Sequence, residues 1–93
     1  MLSEDEKRSV ERRLGRVAGQ VAGVQRMIQD DRYCMDVLHQ IAAVRAALSK
    51  VSAVVLRSHL HTCVRTAFHS DDEQLREARI DELVELFDKQ CKR

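Results

Sequence analysis

The chain has no proline and no tryptophan, and among its 93 residues only one tyrosine, two phenylalanines and three glycines. Without proline no helix interior is forced to break. With Ala, Val, Leu, Arg and Glu dominant, the composition is that of an all-α protein. No apolar run approaches the roughly 20 residues that span a bilayer. The segment MLSEDEKRSVERR lacks the apolar stretch of a signal peptide, so a cytoplasmic protein without a membrane partner is expected. Scarce aromatics leave no stacking platform for single-stranded nucleic acid. In a reducing compartment Cys34, Cys63 and Cys91 stay thiols, available as metal ligands or redox groups.

Net charge is only +1, but the charge is unevenly spread. Residues 1–30 hold six Lys/Arg against five Asp/Glu, residues 31–70 five against two, and residues 71–93 five against eight. The basic excess sits in the first two thirds. At this length a single domain over residues 1–93 is expected, near the size at which association supplies part of the burial.

Ser3 and Glu6 have capping-box spacing, which predicts a helix from about residue 4 to Gln29. Val10, Leu14, Val17, Val21, Val24 and Ile28 recur at steps of three and four, as one buried stripe requires. Gly15, Gly19 and Gly23 are also four apart. Each weakens a helix by roughly 1 kcal/mol relative to Ala, so they suit the close approach of another surface, protein or DNA. After Asp30-Asp31-Arg32 a long helical run is predicted from Tyr33 to His69. Ser70 and Glu73 repeat the capping-box spacing before a third helix to about Gln90, with Leu75, Ile80, Leu83, Val84 and Phe87 as its apolar side.

The stretch HLHTC places His59 and Cys63 four residues apart, on one helical face. Two donors do not close a metal site. Cys34 lies 25 residues before His59, roughly 37 Å away along a continuous helix, yet both intervals from Cys34 close within roughly 20° of whole turns. Donors on one stripe but at opposite ends of a helix meet when two copies pack antiparallel, giving two symmetric Cys–His–Cys sites. Ala42, Ala43, Ala46 and Ala47 lie near the midpoint, where small side chains allow two helices to cross closely. Two thiolates and an imidazole favour Cu(I), with Zn(II) next if a fourth donor is present. Buried small residues at a dimer seam would produce the same spacing. His39, His61 and His69 read as solvated surface, and Cys91, beside Lys89, Lys92 and Arg93, as an incidental thiol.

This arrangement, with RLGRVAGQVAGVQRMIQDDRYC and QIAAVRAAL, resembles the CsoR/RcnR family of metal-sensing repressors, and within it the copper-sensing CsoR branch. The resemblance covers nearly the whole chain. It implies three helices per chain, an antiparallel four-helix-bundle dimer core and dimers paired into a disc-like homotetramer. It implies a protein that is not an enzyme: a repressor whose apo form binds double-stranded operator DNA. Cu(I) held by Cys34 of one subunit and His59 and Cys63 of the other releases it, turning on copper resistance genes. Tyr33 and Glu82 correspond to residues surrounding the metal site in copper-sensing relatives. The interval from Cys63 to Glu82 is longer than in some relatives, and Glu85 is the substitute. Arg13, Arg16, Gln20 and Lys50 match positions resembling the family's DNA contacts, while Arg8, Arg12, Arg26 and Arg45 are further cations on the same helices.

Two other readings use the same residues. A persulfide or thiol-redox repressor would need only Cys34 and Cys63, and His59 is what favours copper over sulfur. A Cu(I) buffer would need no DNA at all.

Overall fold

The computed structural model describes residues 2–91, with side chains through residue 89; the Cys91 side chain, Lys92 and Arg93 lie outside the described residues. Helix α1 spans Glu4–Gln29. It starts where the capping box predicts: the Glu6 amide donates to Ser3 Oγ at 3.1 Å, and the Ser3 amide to Glu6 Oε1 at 3.0 Å. Glu4, Asp5 and Glu6 in the first turn and Arg26 in the last complement the helix dipole.

The α1 terminus has the hydrogen bonds of a Schellman motif. The Asp31 amide donates to the Ile28 carbonyl at 3.2 Å and the Arg32 amide to the Met27 carbonyl at 2.9 Å. Asp31 takes the position that glycine usually fills, at φ 52°. Helix α2, Cys34–His59, begins at once, with the Tyr33 carbonyl accepting from the amides of Asp36 and Val37 at 3.0 and 3.2 Å.

The predicted long second helix continues to Phe68, but not with uniform winding. A π-turn spans Leu60–Val64, and α3 follows at Arg65–Phe68. His59 and Arg65 keep right-handed helical dihedrals on either side, so the turn widens the helix without breaking it. Helix α4 covers Glu73–Cys91. Its cap is Asp72, two residues beyond the predicted Ser70: Asp72 Oδ1 accepts from the Leu75 amide at 3.1 Å. Ser70 Oγ instead accepts from the Asp72 amide at 3.0 Å, and the Ser70 carbonyl from Arg76 Nη1 at 3.0 Å. The fold is therefore all-α, three helical segments with no strand among the described residues. None of these helices is long and apolar enough to cross a membrane.

The described residues form two compact units, residues 2–56 and residues 57–91. In the first, the apolar stripe expected on α1 divides. Val10 and Val17 are buried and Val24 half-buried, seven residues apart, whereas Leu14, Val21 and Ile28 are 43%, 45% and 60% exposed. A stripe of six residues at alternating steps is wider than one contact line, so one ridge packs within the chain and its neighbour does not. On α2, Val51 is buried while Leu38, Ile41 and Leu48 are exposed. In the second unit Ser58, Val64 and Ala67 are buried, and α4 packs against the π-turn and α3. Of the α4 side predicted apolar, Leu75 and Leu83 are half-buried, as is Leu86, while Val84 and Phe87 are more than half exposed. Among the described residues, a Cβ at Gly15 or Gly19 would meet nothing within 4 Å, so none of them packs closely against those glycines.

The left-handed conformation of Asp31 disfavours any side chain with a Cβ. Asp31→Gly should raise the free energy of unfolding by about 0.5–1 kcal/mol, strain relief exceeding the added entropy of the unfolded chain. Asp31→Val should lower it, and urea denaturation of both variants measures the difference.

Candidate metal centre and basic groove

Cys34 is the first residue of α2 and His59 the last, so the helix that carries both keeps them a full helix length apart. Cys34 is exposed and Cys63 half-buried, and both are free thiols. His59 immediately precedes the π-turn and Cys63 lies within it. In an α-helix positions four apart are offset by roughly 40°. Next to His59 the helix widens, the Arg65 amide donating back to the Leu60 carbonyl, so the angle between His59 and Cys63 is not that of a regular α-helix. π-turns concentrate at functional positions because the extra residue costs helix stability. Among the described residues, no group of three or more His, Cys, Asp or Glu is assembled that could hold a metal ion.

Of the residues expected around the metal, Tyr33 is 69% exposed at the N-terminus of α2. Glu82 is on α4, where its Oε1 accepts from Arg79 Nη1 at 2.8 Å. Glu85, the substitute for Glu82, pairs with Lys89 at 3.3 Å.

Four other predicted residues do meet. Arg13, Arg16 and Gln20 from α1 and Lys50 from α2 line one groove of about 350 Å³, together with Ala43, Ala46 and Ala47. The helical period accounts for this on both sides: 13, 16 and 20 share a face of α1, and 43, 46, 47 and 50 a face of α2. None of the four polar side chains has a hydrogen-bond or ion-pair partner among the described residues, in contrast to Arg8, held by Asp5 at 2.6 Å. Three uncommitted cations and one amide over a floor of methyl groups form a concentrated anion-attracting surface.

This corrects the expected role of the alanines. Ala43, Ala46 and Ala47 lie about 120 to 180° around α2 from Cys34, so they are not on the donor stripe. Within about 40° of that stripe are Leu38, Ile41, Arg45 and Leu48, three of them exposed large apolar residues. Spacing of the alanines along the chain suggested the midpoint; their phase around the helix, computable from the same numbers, would have excluded it. The π-turn, by contrast, has no comparable signal in HLHTC.

A family described as metal-sensitive transcriptional repressors matches residues 6–89. The copper-sensing transcriptional repressor CsoR of Bacillus subtilis is 45% identical over 87 residues, 94% of this chain and 83% of that protein. The copper-sensing transcriptional repressor RicR of Mycobacterium tuberculosis is 50% identical over 62 residues, 67% of this chain and 65% of its own length. Among solved structures, the copper-sensing repressor CsoR with Cu(I) from Geobacillus thermodenitrificans matches with a TM-score of 0.88 and 37% identity, covering 99% of this chain and 93% of that one.

Proposed function

The chain belongs to the metal-sensitive transcriptional repressors, and we propose that it is a copper(I)-responsive one, whose metal-free form binds double-stranded operator DNA and whose Cu(I) form lets go. The observation that carries this reading is that one chain combines a Cys–His–Cys donor set with a groove of uncommitted cations. Similarity to copper-sensing repressors over nearly the whole chain supports copper over a thiol-redox signal, and DNA binding over copper buffering. Such a protein acts by binding, in the cytoplasm, and catalyses nothing.

Cys34 of one subunit with His59 and Cys63 of a second would hold the ion. This donor set fits a soft monovalent metal, which when bound joins the two subunits through thiolate and imidazole bonds. The sharing follows from helix length, because α2 itself separates Cys34 from His59. Exposed Leu14, Val21 and Ile28 on α1 and Leu38, Ile41 and Leu48 on α2 supply the apolar surface for an antiparallel dimer, and dimers pair into a tetramer. Tyr33 and Glu82 would border the metal site; Glu82 would bring with it, or exchange, its bond to Arg79. Arg13, Arg16, Gln20 and Lys50 would grip DNA, with Ala43, Ala46 and Ala47 leaving room for the sugar–phosphate backbone. The continuous match over residues 6–89 supports treating residues 1–93 as one functional domain.

Anaerobic Cu(I) titration of a fluorescent operator complex tests the switch. His59→Ala should weaken Cu(I) binding and uncouple it from DNA release, while metal-free DNA affinity stays near the parent's. Release of this variant at the parent's copper concentration would refute the three-donor site.

Subunit sharing has its own test. Cys34→Ala and Cys63→Ala homodimers each lack a donor at both sites, but a heterodimer regains one complete site and leaves the other with one ligand. Purified heterodimers should recover tight binding of one Cu(I), and failure to do so would reject the antiparallel arrangement.

Each cation that neutralises a phosphate contributes roughly one unit to the log–log slope of affinity against salt. Arg13→Ala and Lys50→Ala should therefore weaken operator binding and flatten its salt dependence, with Cu(I) affinity unchanged in the absence of DNA. Salt-titrated fluorescence anisotropy measures both effects; parental DNA affinity in both variants would remove the groove from the DNA surface.

A further inference from the structure

The wide turn that carries Cys63 contains a side-chain contact that the metal reading does not use. Thr62 Oγ1 donates to the Ser58 carbonyl at 2.8 Å and lies 3.7 Å from Cys63 Sγ. Ser58 is only 3% exposed, so the carbonyl end of this bond is anchored in the packed part of the unit. A threonine back-bond to the carbonyl four residues earlier selects its rotamer and bends the helix locally. It falls at the entry to the turn Leu60–Val64.

We propose that Thr62 is a positioning residue for the copper ligand Cys63, its hydroxyl, anchored on the Ser58 carbonyl, limiting where Sγ can sit. The assignment rests on the reading of Cys63 as a ligand. The hydroxyl fixes the Thr62 rotamer through Ser58, and the fixed oxygen lies against the sulfur of the next residue. Cys63 therefore samples fewer orientations than a thiol on a free helix surface, and less ordering remains when it takes a metal. Groups that orient a ligand in this way typically change metal affinity by about 10- to 100-fold when removed. Valine has the same branched shape without the hydroxyl, and serine keeps the hydroxyl without the methyl.

The test uses the full-length protein, with Cu(I) supplied anaerobically against a chromogenic chelator. Thr62→Val should bind Cu(I) about tenfold more weakly than the parent and shift the near-ultraviolet thiolate-to-copper absorption, and Thr62→Ser should restore both. In metal-free protein, alkylation followed by peptide mass spectrometry should show Cys63 reacting several-fold faster in Thr62→Val while Cys34 in the same molecules is unchanged. Parental Cu(I) affinity in Thr62→Val, a serine variant as weak as the valine one, or a parallel rise in reactivity at both cysteines would each overturn the assignment. Cys63→Ala separates this from the larger reading. If it binds Cu(I) like the parent, the ligand assignment fails and the positioning role with it. If it loses Cu(I) while Thr62→Val does not, only the positioning role fails.

Discussion

An α-helix advances about 1.5 Å per residue, and the 26 residues of α2 put its first and last side chains roughly 37 Å apart. Cys34 and His59 occupy those two positions, and the proposed function depends on that separation. A site that needs both needs a second α2 running the other way. Association is then a condition for binding the metal rather than an addition to it, and copper reports on an assembly rather than on a single chain. The exposed apolar residues near the donor stripe, Leu38, Ile41 and Leu48, fit the same requirement.

The helices divide their work by face. On α1 one line of valines, Val10 and Val17 with Val24 beside them, packs inward, while Leu14, Val21 and Ile28 form a second apolar line left uncovered. A third face carries Arg13, Arg16 and Gln20 into the groove shared with Lys50. On α2 the donor stripe and the alanine floor lie on nearly opposite sides. Metal and DNA would thus meet different faces of the same helix, and movement of α2 against its neighbours is a physical route by which one could affect the other. Neither surface has to be remade for the other to act.

Local winding adds a finer adjustment. Six residues from Ser58 to Cys63 include a buried serine, a π-turn and a threonine whose hydroxyl reaches both the helix backbone and the sulfur. These features make the angle between His59 and Cys63 differ from that of a regular α-helix. The wider turn falls beside His59 and around Cys63, two of the three proposed copper donors.

Much of this was legible in the residues. Absence of proline, capping at Ser3, and the apolar period determined an all-α chain with helices close to those observed, because these signals are local and act within one turn. The spacing of Cys34, His59 and Cys63 and the cations at 13, 16 and 50 marked the candidate sites for the same reason: helical phase is arithmetic. Tertiary structure alone decided which apolar line on α1 is buried, that Asp72 rather than Ser70 caps α4, and that the helix widens at Leu60–Val64. Each is a choice between local alternatives of nearly equal energy, and packing against a second element, which no single stretch of sequence contains, selects among them.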